Sequence, residues 1–186
     1  MLNDSDIQLI TNYLKKDDKS LEILVNRYLK PIYGFVYRFT NNLQDTDDIT
    51  QEVFVKIWKN LKKFDQTKNF KTWLFTIAKN TAIDWLRRHQ DILFSELIKT
   101  EDGESLEDNI IDDAPLPSEI FEHQHLAQEL NSAVHKLPAI YQTVLSLYYQ
   151  EGFTFQEISE ILEKSVNTVK SRHWRAIKAL RKEMLI

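Results

Sequence analysis

The 186-residue chain has no cysteine, three glycines, four prolines and no long apolar run. The absence of cysteine excludes a disulfide framework, a thiolate metal site and a cysteine nucleophile. So few turn-forming residues disfavour a β-rich architecture and predict an all-α fold. No apolar run approaches the roughly 18 residues of a membrane-spanning helix, and the N-terminus lacks the basic start of a signal peptide. We therefore expect a soluble, cytoplasmic protein with no membrane contact of its own.

Catalytic and metal-binding motifs are also missing from the sequence. His123 and His125 are two residues apart, which places them on different faces of a helix and makes a poor metal site. The sequence contains no HExxH motif, no phosphate-binding loop and no nucleophile elbow. We therefore expect neither an enzyme activity nor a bound metal or cofactor.

Charge is distributed unevenly along the chain, whose formal net charge is −4. Residues 91–122 contain 11 acidic side chains and one basic side chain, whereas residues 1–90 carry a net charge of +4 and residues 123–186 one of +2. Two mildly basic blocks are thus separated by a strongly acidic one. Residues 91–118 also lose the helical pattern, so we interpret them as a flexible acidic linker between two small helical domains, residues 1–90 and 119–186.

The spacing of apolar residues predicts four helices in the first block, at residues 4–16, 21–40, 45–63 and 70–89. Pro31 lies inside the second of them and should bend or split it. The third helix is acidic in its first turns and basic in its last turns, an order that complements the helix dipole. Its residues Asp48, Gln51, Glu52 and Val55 also form one contiguous outward face.

The second block is predicted to consist of four helices. Ser118 caps a helix that ends near residue 136, and the next helix starts at Pro138 and ends at Gly152. Residues 153–182 then follow as two short helices joined by a tight turn, which is the pattern of a helix-turn-helix.

Capping residues mark both helices of this motif. Thr154 is followed three residues later by Glu157, the spacing of a capping box at the start of the first helix. The break falls at residues 163–164, and Ser165 caps the second helix. These signals indicate a helix-turn-helix without telling which kind of protein carries it.

The second helix of the motif has an apolar side and an opposite side with basic and polar residues. Arg and Lys on such a face suit guanine edges and phosphates in a DNA major groove, and Asn and Ser suit bases or backbone. Charge alone would equally fit a solvated amphipathic helix, but the capped helix and turn ahead of it favour DNA binding. Trp174 either lies on the sugar–phosphate backbone or packs on its own domain. The predicted contacts are Asn167, Lys170, Ser171, Arg172, Trp174, Arg175 and Lys178.

Three segments, in this order, resemble the extracytoplasmic-function (ECF) sigma factors of bacterial RNA polymerase. They are DTDDITQEVFVKIWKNL at residues 45–61, FKTWLFTIAKNTAIDWLRR at residues 70–88, and the helix-turn-helix region that starts with LPAIYQ, at residues 137–182. The resemblance covers about residues 5–90 and 119–184, and it implies sigma domain two in the first domain and sigma domain four in the second. It further implies a protein that binds core RNA polymerase, directs promoter-specific transcription initiation and is controlled by an anti-sigma factor.

The resemblance also implies roles for particular residues. The acidic face of the third helix matches the segment that docks on core polymerase, through Asp47, Asp48, Gln51 and Glu52. The fourth helix and the loop before it match the reader of the minus-ten promoter element, where one base is flipped into a pocket. The residues expected to contact this DNA are Phe64, Lys71, Lys79, Asn80, Arg87 and Arg88. The second helix of the helix-turn-helix matches the reader of the minus-thirty-five element.

A stand-alone helix-turn-helix regulator with a helical N-terminal domain is the alternative interpretation. Such a protein would bind DNA without any need for RNA polymerase. The acidic outward face of the third helix and the polar and apolar pattern of residues 73–80 argue against it.

Overall fold

The structure, a computed structural model, describes residues 5–89, 130 and 132–184. The predicted linker and most of the helix predicted after Ser118 lie outside these residues, although residues 132–136, at its end, are helical. All regular secondary structure in the described ranges is helical, which confirms the predicted all-α fold. None of the described helices is both long enough and apolar enough to cross a membrane.

Four helices form the N-terminal half. They are α1 (Asp6–Leu14), α2 (Asp18–Thr40), α3 (Leu43–Asn60) and α4 (Phe70–His89), with a 3-10 turn at Leu61–Lys63 after α3. The bounds of α4 are those predicted, because an apolar stripe and a polar loop define both ends in the sequence.

The boundary between α2 and α3 differs from the prediction. Asn41, in the left-handed region with φ of 48°, ends α2, and the adjacent Asn42 already caps α3. The side-chain oxygen of Asn42 accepts a hydrogen bond from the Asp45 N–H at 3.1 Å. α3 therefore begins at Leu43, and the predicted start near Asp45 or Thr46 is wrong.

α2 is not split at Pro31, although proline removes one hydrogen bond of the helix. Ile32, Phe35 and Val36 follow directly and are almost completely buried. Their packing holds this half of α2 in place, because leaving the core would cost more than one helical hydrogen bond contributes.

The C-terminal half contains three further helices after residues 132–136. α5 (Ala139–Leu145) runs into a π-helical turn at Ser146–Gln150, and α6 (Phe155–Leu162) and α7 (Val166–Glu183) follow. Gly152 has a φ of 70°, a conformation that glycine adopts without strain, and it separates the π-helical turn from α6.

The predicted helix-turn-helix is confirmed with its caps. The Thr154 hydroxyl accepts a hydrogen bond from the Glu157 N–H, and the Glu157 carboxylate accepts one from the Thr154 N–H at 2.9 Å. Ser165 caps α7 by accepting a hydrogen bond from the Thr168 N–H at 3.1 Å. Between α6 and α7, Glu163 occupies the left-handed region with φ of 53°, where glycine is the usual residue.

One hydrophobic core runs through both halves of the molecule. The ring of Phe75, on α4, meets the ring of Phe153 edge-on with centroids 5.1 Å apart. Ile158 and Ile161 of α6 are fully buried in the same core, so α4 packs against α6 as well as against α2 and α3. A smaller cluster joins α5 to α7 through Leu137, Leu145 and Ala176. The sequence does not predict this packing of one half on the other.

We expect Thr154→Ala to lower the free energy of unfolding by about 1 kcal/mol, because the Glu157 N–H loses its cap. Urea unfolding followed by circular dichroism measures this loss. The matched control is Gln156→Ala, an exposed position on the same helix, which should change the free energy by less than about 0.5 kcal/mol. Equal losses in the two variants would show that the capping box does not stabilise α6.

Candidate nucleic-acid and protein interfaces

α3 presents an acidic face to solvent. Asp47, Asp48 and Gln51 are exposed on this face. Glu52 is only half exposed, and its carboxylate pairs with the Lys56 ammonium at 2.8 Å one turn further along the helix. Of the four residues predicted to contact polymerase, three are therefore fully accessible, and Glu52 is partly engaged within the molecule.

An open groove between α2 and α3 borders this face, and sequence reasoning missed it. The groove is lined by Asn26, Leu29, Lys30, Tyr33, Asp47, Thr50 and Gln51. The signal in the sequence was the spacing of Leu29 and Tyr33, one turn apart and outside the apolar stripe of α2.

The groove has the features of a surface that a partner covers. Leu29 is 45% exposed, and the buried hydroxyl of Thr50 finds no hydrogen-bond partner among the described residues. Partial burial and the neighbouring carboxylate of Asp47 raise the pKa of Tyr33. An exposed leucine, an unsatisfied hydroxyl and an acidic rim would all be compensated by a partner with apolar and basic groups.

The structure places Phe64 in the core. Its side chain is 7% exposed, and its ring packs against the rings of Phe70 and Trp73 at centroid distances of 5.4 and 4.9 Å. The resemblance implies that Phe64 contacts the DNA of the minus-ten element. In this conformation its ring is not available for that contact, because the neighbouring aromatic rings surround it.

The polar residues predicted to read the minus-ten element divide into accessible and covered ones. Asn80, Arg87 and Arg88 are exposed along α4. Lys79 is 4% exposed and Lys71 is half-buried. Both lysines lie on the side of α4 that faces the C-terminal half.

Carboxylates of the C-terminal half pair with both lysines. The Lys79 ammonium lies 2.9 Å from the Glu163 carboxylate, in the turn of the helix-turn-helix. The Lys71 ammonium lies 3.1 Å from the Glu151 carboxylate and 4.8 Å from the centre of the Phe153 ring. The same segment of chain therefore supplies an anion to each lysine.

Two amide side chains join this contact. Asn69 donates a hydrogen bond to the Glu157 carboxylate at 3.2 Å, and the Asn80 amide lies near the Glu163 carboxylate. The hydrogen bond and positive charge of Lys79 lower the pKa of Glu163, and the nearby Asn80 amide adds to this effect. Glu163 is therefore held in its ionised form by two of the residues predicted to read DNA.

α7 presents most of the predicted minus-thirty-five face to solvent. Asn167, Lys170, Trp174 and Lys178 are exposed. Trp174 is 48% exposed and the Lys178 ammonium lies 5.2 Å from the centre of its ring. Of the two placements left open by the sequence, the structure shows Trp174 on the surface and not packed inside its own domain.

Three other α7 residues deviate from full exposure. Ser171 and Arg175 are half-buried, and Arg172 is 6% exposed. Arg172 lies on the same side of α7 as the buried Val169 and Ala176, because these positions are three and four residues apart. The sequence predicts Arg172 as a DNA contact, whereas the structure places it on the packed side of α7.

An aromatic cluster that the sequence did not predict lies behind the α7 face. The ring of His173 packs against Tyr148, Tyr149 and Phe155, with centroids 5.0, 5.6 and 5.2 Å apart. Its Nε2 lies 3.2 Å from the Tyr149 hydroxyl. Burial lowers the pKa of His173, because removal from water disfavours the charged imidazolium. In the described part of the chain, no three histidine, aspartate or glutamate side chains are grouped to hold a metal ion.

Comparison with known proteins matches each half of the chain to a protein family model. The family model for sigma-70 region 2 matches residues 24–92, and the model for sigma-70 region 4 matches residues 127–180. The ECF RNA polymerase sigma factor SigW of Bacillus subtilis is 35% identical over 172 residues, which are 91% of this chain and 91% of that protein. The RNA polymerase sigma-H factor of Pseudomonas aeruginosa is 30% identical over 99% of this chain and 96% of its own length.

A solved structure has a similar fold. CnrH, in its complex with the cytosolic domain of CnrY, superimposes with a TM-score of 0.65 and covers 97% of each chain at 24% sequence identity. At this identity the likeness concerns the fold alone.

The helical fold, the helix-turn-helix and the polar faces define a two-part DNA-binding protein. The family models and the sequence relatives identify the kind of DNA-binding protein. The chain belongs to the sigma-70 family as an RNA polymerase sigma factor of the ECF type. This confirms the resemblance seen in the sequence and favours it over a stand-alone helix-turn-helix regulator. Proteins of this family are transcription initiation factors.

We expect the wild-type protein to lose stability relative to His173→Gln as the pH falls from about 7.5 to about 5.5. The folded-state pKa of His173 is lowered, so its contribution is fully present above the unfolded value of about 6.5 and is lost as the pH falls through the folded value. Urea unfolding at each pH measures the difference, and glutamine keeps a partner for the Tyr149 hydroxyl. Parallel pH profiles would show that His173 is not held neutral.

Proposed function

We propose that the acidic face of α3 and the adjoining groove form the surface by which this sigma factor binds core RNA polymerase. Asp47, Asp48 and Gln51 supply the exposed polar contacts, and Glu52 adds to the acidic field. The observation that carries the proposal is the groove itself, in which exposed Leu29 and the unsatisfied Thr50 hydroxyl lie beside these carboxylates. A basic helical partner with apolar side chains would complement it in charge and in shape.

We assign residues 1–90 to sigma domain two, residues 91–118 to an acidic linker and residues 119–186 to sigma domain four. The ranges matched by the two family models, 24–92 and 127–180, support this division. The linker lies outside the described residues, and its assignment rests on composition alone.

For the minus-ten element we propose that α4 is the reader. Asn80 contacts the edge of a base, and the backbone of the displaced strand is held by Lys71, Lys79, Arg87 and Arg88. Asn80, Arg87 and Arg88 are accessible, whereas Lys71 and Lys79 must first leave their carboxylate partners. Phe64 can form one wall of a base pocket only if the aromatic core around it rearranges.

For the minus-thirty-five element we propose that α7 lies in the major groove. Its exposed face supplies Asn167, Lys170, Trp174 and Lys178, with Ser171 and Arg175 at the margin. The stacked Trp174–Lys178 pair presents a flat ring and a cation together, which suits the sugar–phosphate backbone.

The proposed setting is the bacterial cytoplasm, with an anti-sigma factor as a regulatory partner. Two solved structures with similar folds contain partner proteins, the cytosolic domain of CnrY in one and the anti-sigma factor NepR in the other. We extend this kind of partner to the present chain, because its fold is similar to the folds of the two sigma factors in those complexes.

The polymerase contact is tested by Leu29→Glu together with Asp48→Lys. We expect the double variant to lose co-purification with core polymerase, because it places a charge on the apolar wall of the groove and reverses a charge on its rim. A pull-down with purified core enzyme measures binding, and circular dichroism checks that helicity is kept.

The matched control for charge reversal is Asp18→Lys. Asp18 is exposed at the start of α2, about 16 Å along the helix axis from Leu29. The Asp18→Lys variant should bind core polymerase as the wild type does. Wild-type binding by the double variant would exclude the groove as the docking surface.

The minus-thirty-five contact is tested by comparing Arg175→Ala with Lys182→Ala. If Arg175 reads a base, its loss should cost about 1–3 kcal/mol and change the preference at one base pair of a selected duplex. Lys182 is exposed beyond the reading face, so its loss should weaken binding evenly and reduce the salt slope by about one unit. An unchanged sequence preference in the first variant would remove Arg175 from base readout.

A further inference from the structure

The aromatic cluster behind α7 reaches the surface through Tyr149. This side chain is 62% exposed, although its ring packs against the rings of Tyr148 and His173, with centroids 4.9 and 5.6 Å apart. In the described ranges its hydroxyl has one hydrogen-bond partner, Nε2 of His173 at 3.2 Å. A tyrosine hydroxyl can both donate and accept, so it keeps hydrogen-bonding capacity for a group outside the chain.

A π-helical turn of the backbone displays Tyr149. The turn at Ser146–Gln150 closes with a hydrogen bond from the Glu151 N–H to the Ser146 carbonyl at 3.0 Å, five residues apart. Because the turn holds one residue more than an α-helical turn, it changes the direction of the side chains that it carries. Such turns are rare and are frequently found at functional sites.

The rings around Tyr149 tie it to the helix-turn-helix. Tyr148 stacks on Phe155 of α6 with an interplanar angle of 16° and centroids 4.7 Å apart. His173 of α7 packs against both of these rings, at 5.0 and 5.2 Å. The cluster therefore takes rings from the π-helical turn, from α6 and from α7. A side chain held in this way is preorganised, so it gives up little conformational freedom when it binds.

Tyr149 lies at one margin of the exposed face of α7. Lys170 and Trp174 are exposed on this face, and Lys170 precedes His173 by three residues and Trp174 by four. Residues three and four apart are neighbours on a helix surface, so Lys170 lies beside His173, the partner of Tyr149. When a recognition helix lies in the major groove, a sugar–phosphate strand runs along each side of it. One of these strands would pass the margin that Tyr149 occupies.

A phosphate oxygen suits the Tyr149 hydroxyl. Phosphate only accepts hydrogen bonds, so it would take the tyrosine proton, and a neutral imidazole with its proton on Nε2 can donate to the tyrosine oxygen in return. Burial lowers the pKa of His173 and raises that of Tyr149, which favours the neutral form of both. Hydrogen bonds in such a chain polarise one another and become stronger.

We propose that Tyr149 donates a hydrogen bond to a DNA phosphate at the margin of the α7 reading face, with His173 as the positioning residue for its hydroxyl. The proposal rests on the proposed binding of α7 to duplex DNA. It adds a contact from a segment that precedes both helices of the helix-turn-helix. A neutral donor to phosphate raises affinity without reading bases and without neutralising a phosphate charge.

The first test is Tyr149→Phe in the full chain. Binding to a duplex that the wild type selects from a randomised pool is measured by fluorescence anisotropy at several salt concentrations. The variant should bind about tenfold more weakly at every salt concentration, because one hydrogen bond to a charged group is lost. Its salt slope and its sequence preference should equal those of the wild type. Unchanged affinity, or a changed preference at any base pair, would overturn the phosphate contact.

Two further variants separate this contact from other effects. Tyr141→Phe removes a hydroxyl from a half-buried tyrosine of α5, and it should bind the duplex as the wild type does. Equal losses in Tyr141→Phe and Tyr149→Phe would overturn the contact. Lys170→Ala should reduce the salt slope by about one unit, which Tyr149→Phe should not. A loss in Lys170→Ala alone would overturn the Tyr149 contact and keep α7 as the reader, whereas no loss in either would count against both.

The second test concerns His173. His173→Gln keeps a hydrogen-bonding group beside Tyr149 and should retain most of the affinity, whereas His173→Phe keeps only a ring and should lose about as much as Tyr149→Phe. Combining His173→Phe with Tyr149→Phe should add no further loss, because both changes remove the same hydrogen bond to DNA. Circular dichroism checks that each variant keeps its helicity. Additive losses, or equal losses in His173→Gln and His173→Phe, would overturn the positioning role of His173.

Discussion

The burial of α4 on two sides is the constraint on which the rest of the structure depends. Its buried residues, from Phe70 to Leu86, cover more than half of the circumference of the helix. α2 and α3 cover one side, where the ring of Phe35 lies 5.1 Å from the ring of Phe75, and the rest of the apolar surface needs a second layer. α6 and the chain before it provide that layer. The two halves of this sigma factor are therefore joined by more than the chain between them.

The position of Lys79 gives this packing an electrostatic consequence. Its side chain is 6% exposed, whereas that of its partner Glu163 is 63% exposed. A lysine buried without an anion would be costly, whereas the glutamate remains hydrated on its outer side. The packed arrangement thus depends on an anion at Lys79 more than on Glu163 itself. Glu163 meets this need when the halves are packed, and water or a phosphate meets it when they are apart.

Local signals made most of the helices predictable. The capping box at Thr154 and Glu157, the cap at Ser165 and the apolar stripe of α4 each involve residues close in sequence, and each is found as expected. The boundary at Asn41 and Asn42 was less clear, because either asparagine suits the end of one helix and the start of another.

The candidate surfaces were predictable only where a residue has a single role. Asp48 and Lys178 are exposed as the helical spacing indicates. In the sequence, Lys71 and Lys79 fit contacts to DNA and contacts to acidic side chains equally well. Glu157 fits the role of a helix cap. Their partners lie 80 to 88 residues away in the chain, beyond what periodicity can relate. Arg172 was misplaced for a different reason, since its position falls on the border between the two faces of α7.

The different accessibility of the three surfaces implies an order of events. The α3 groove and the α7 face are open to solvent, whereas Lys71 and Lys79 of α4 are paired with carboxylates of the C-terminal half. Separating the two halves would also expose Phe75 and Phe153 to water, which is unfavourable. With the surfaces assigned as proposed, polymerase and duplex DNA can bind while the two halves are packed together, and holding the halves on separate sites offsets the cost of separating them.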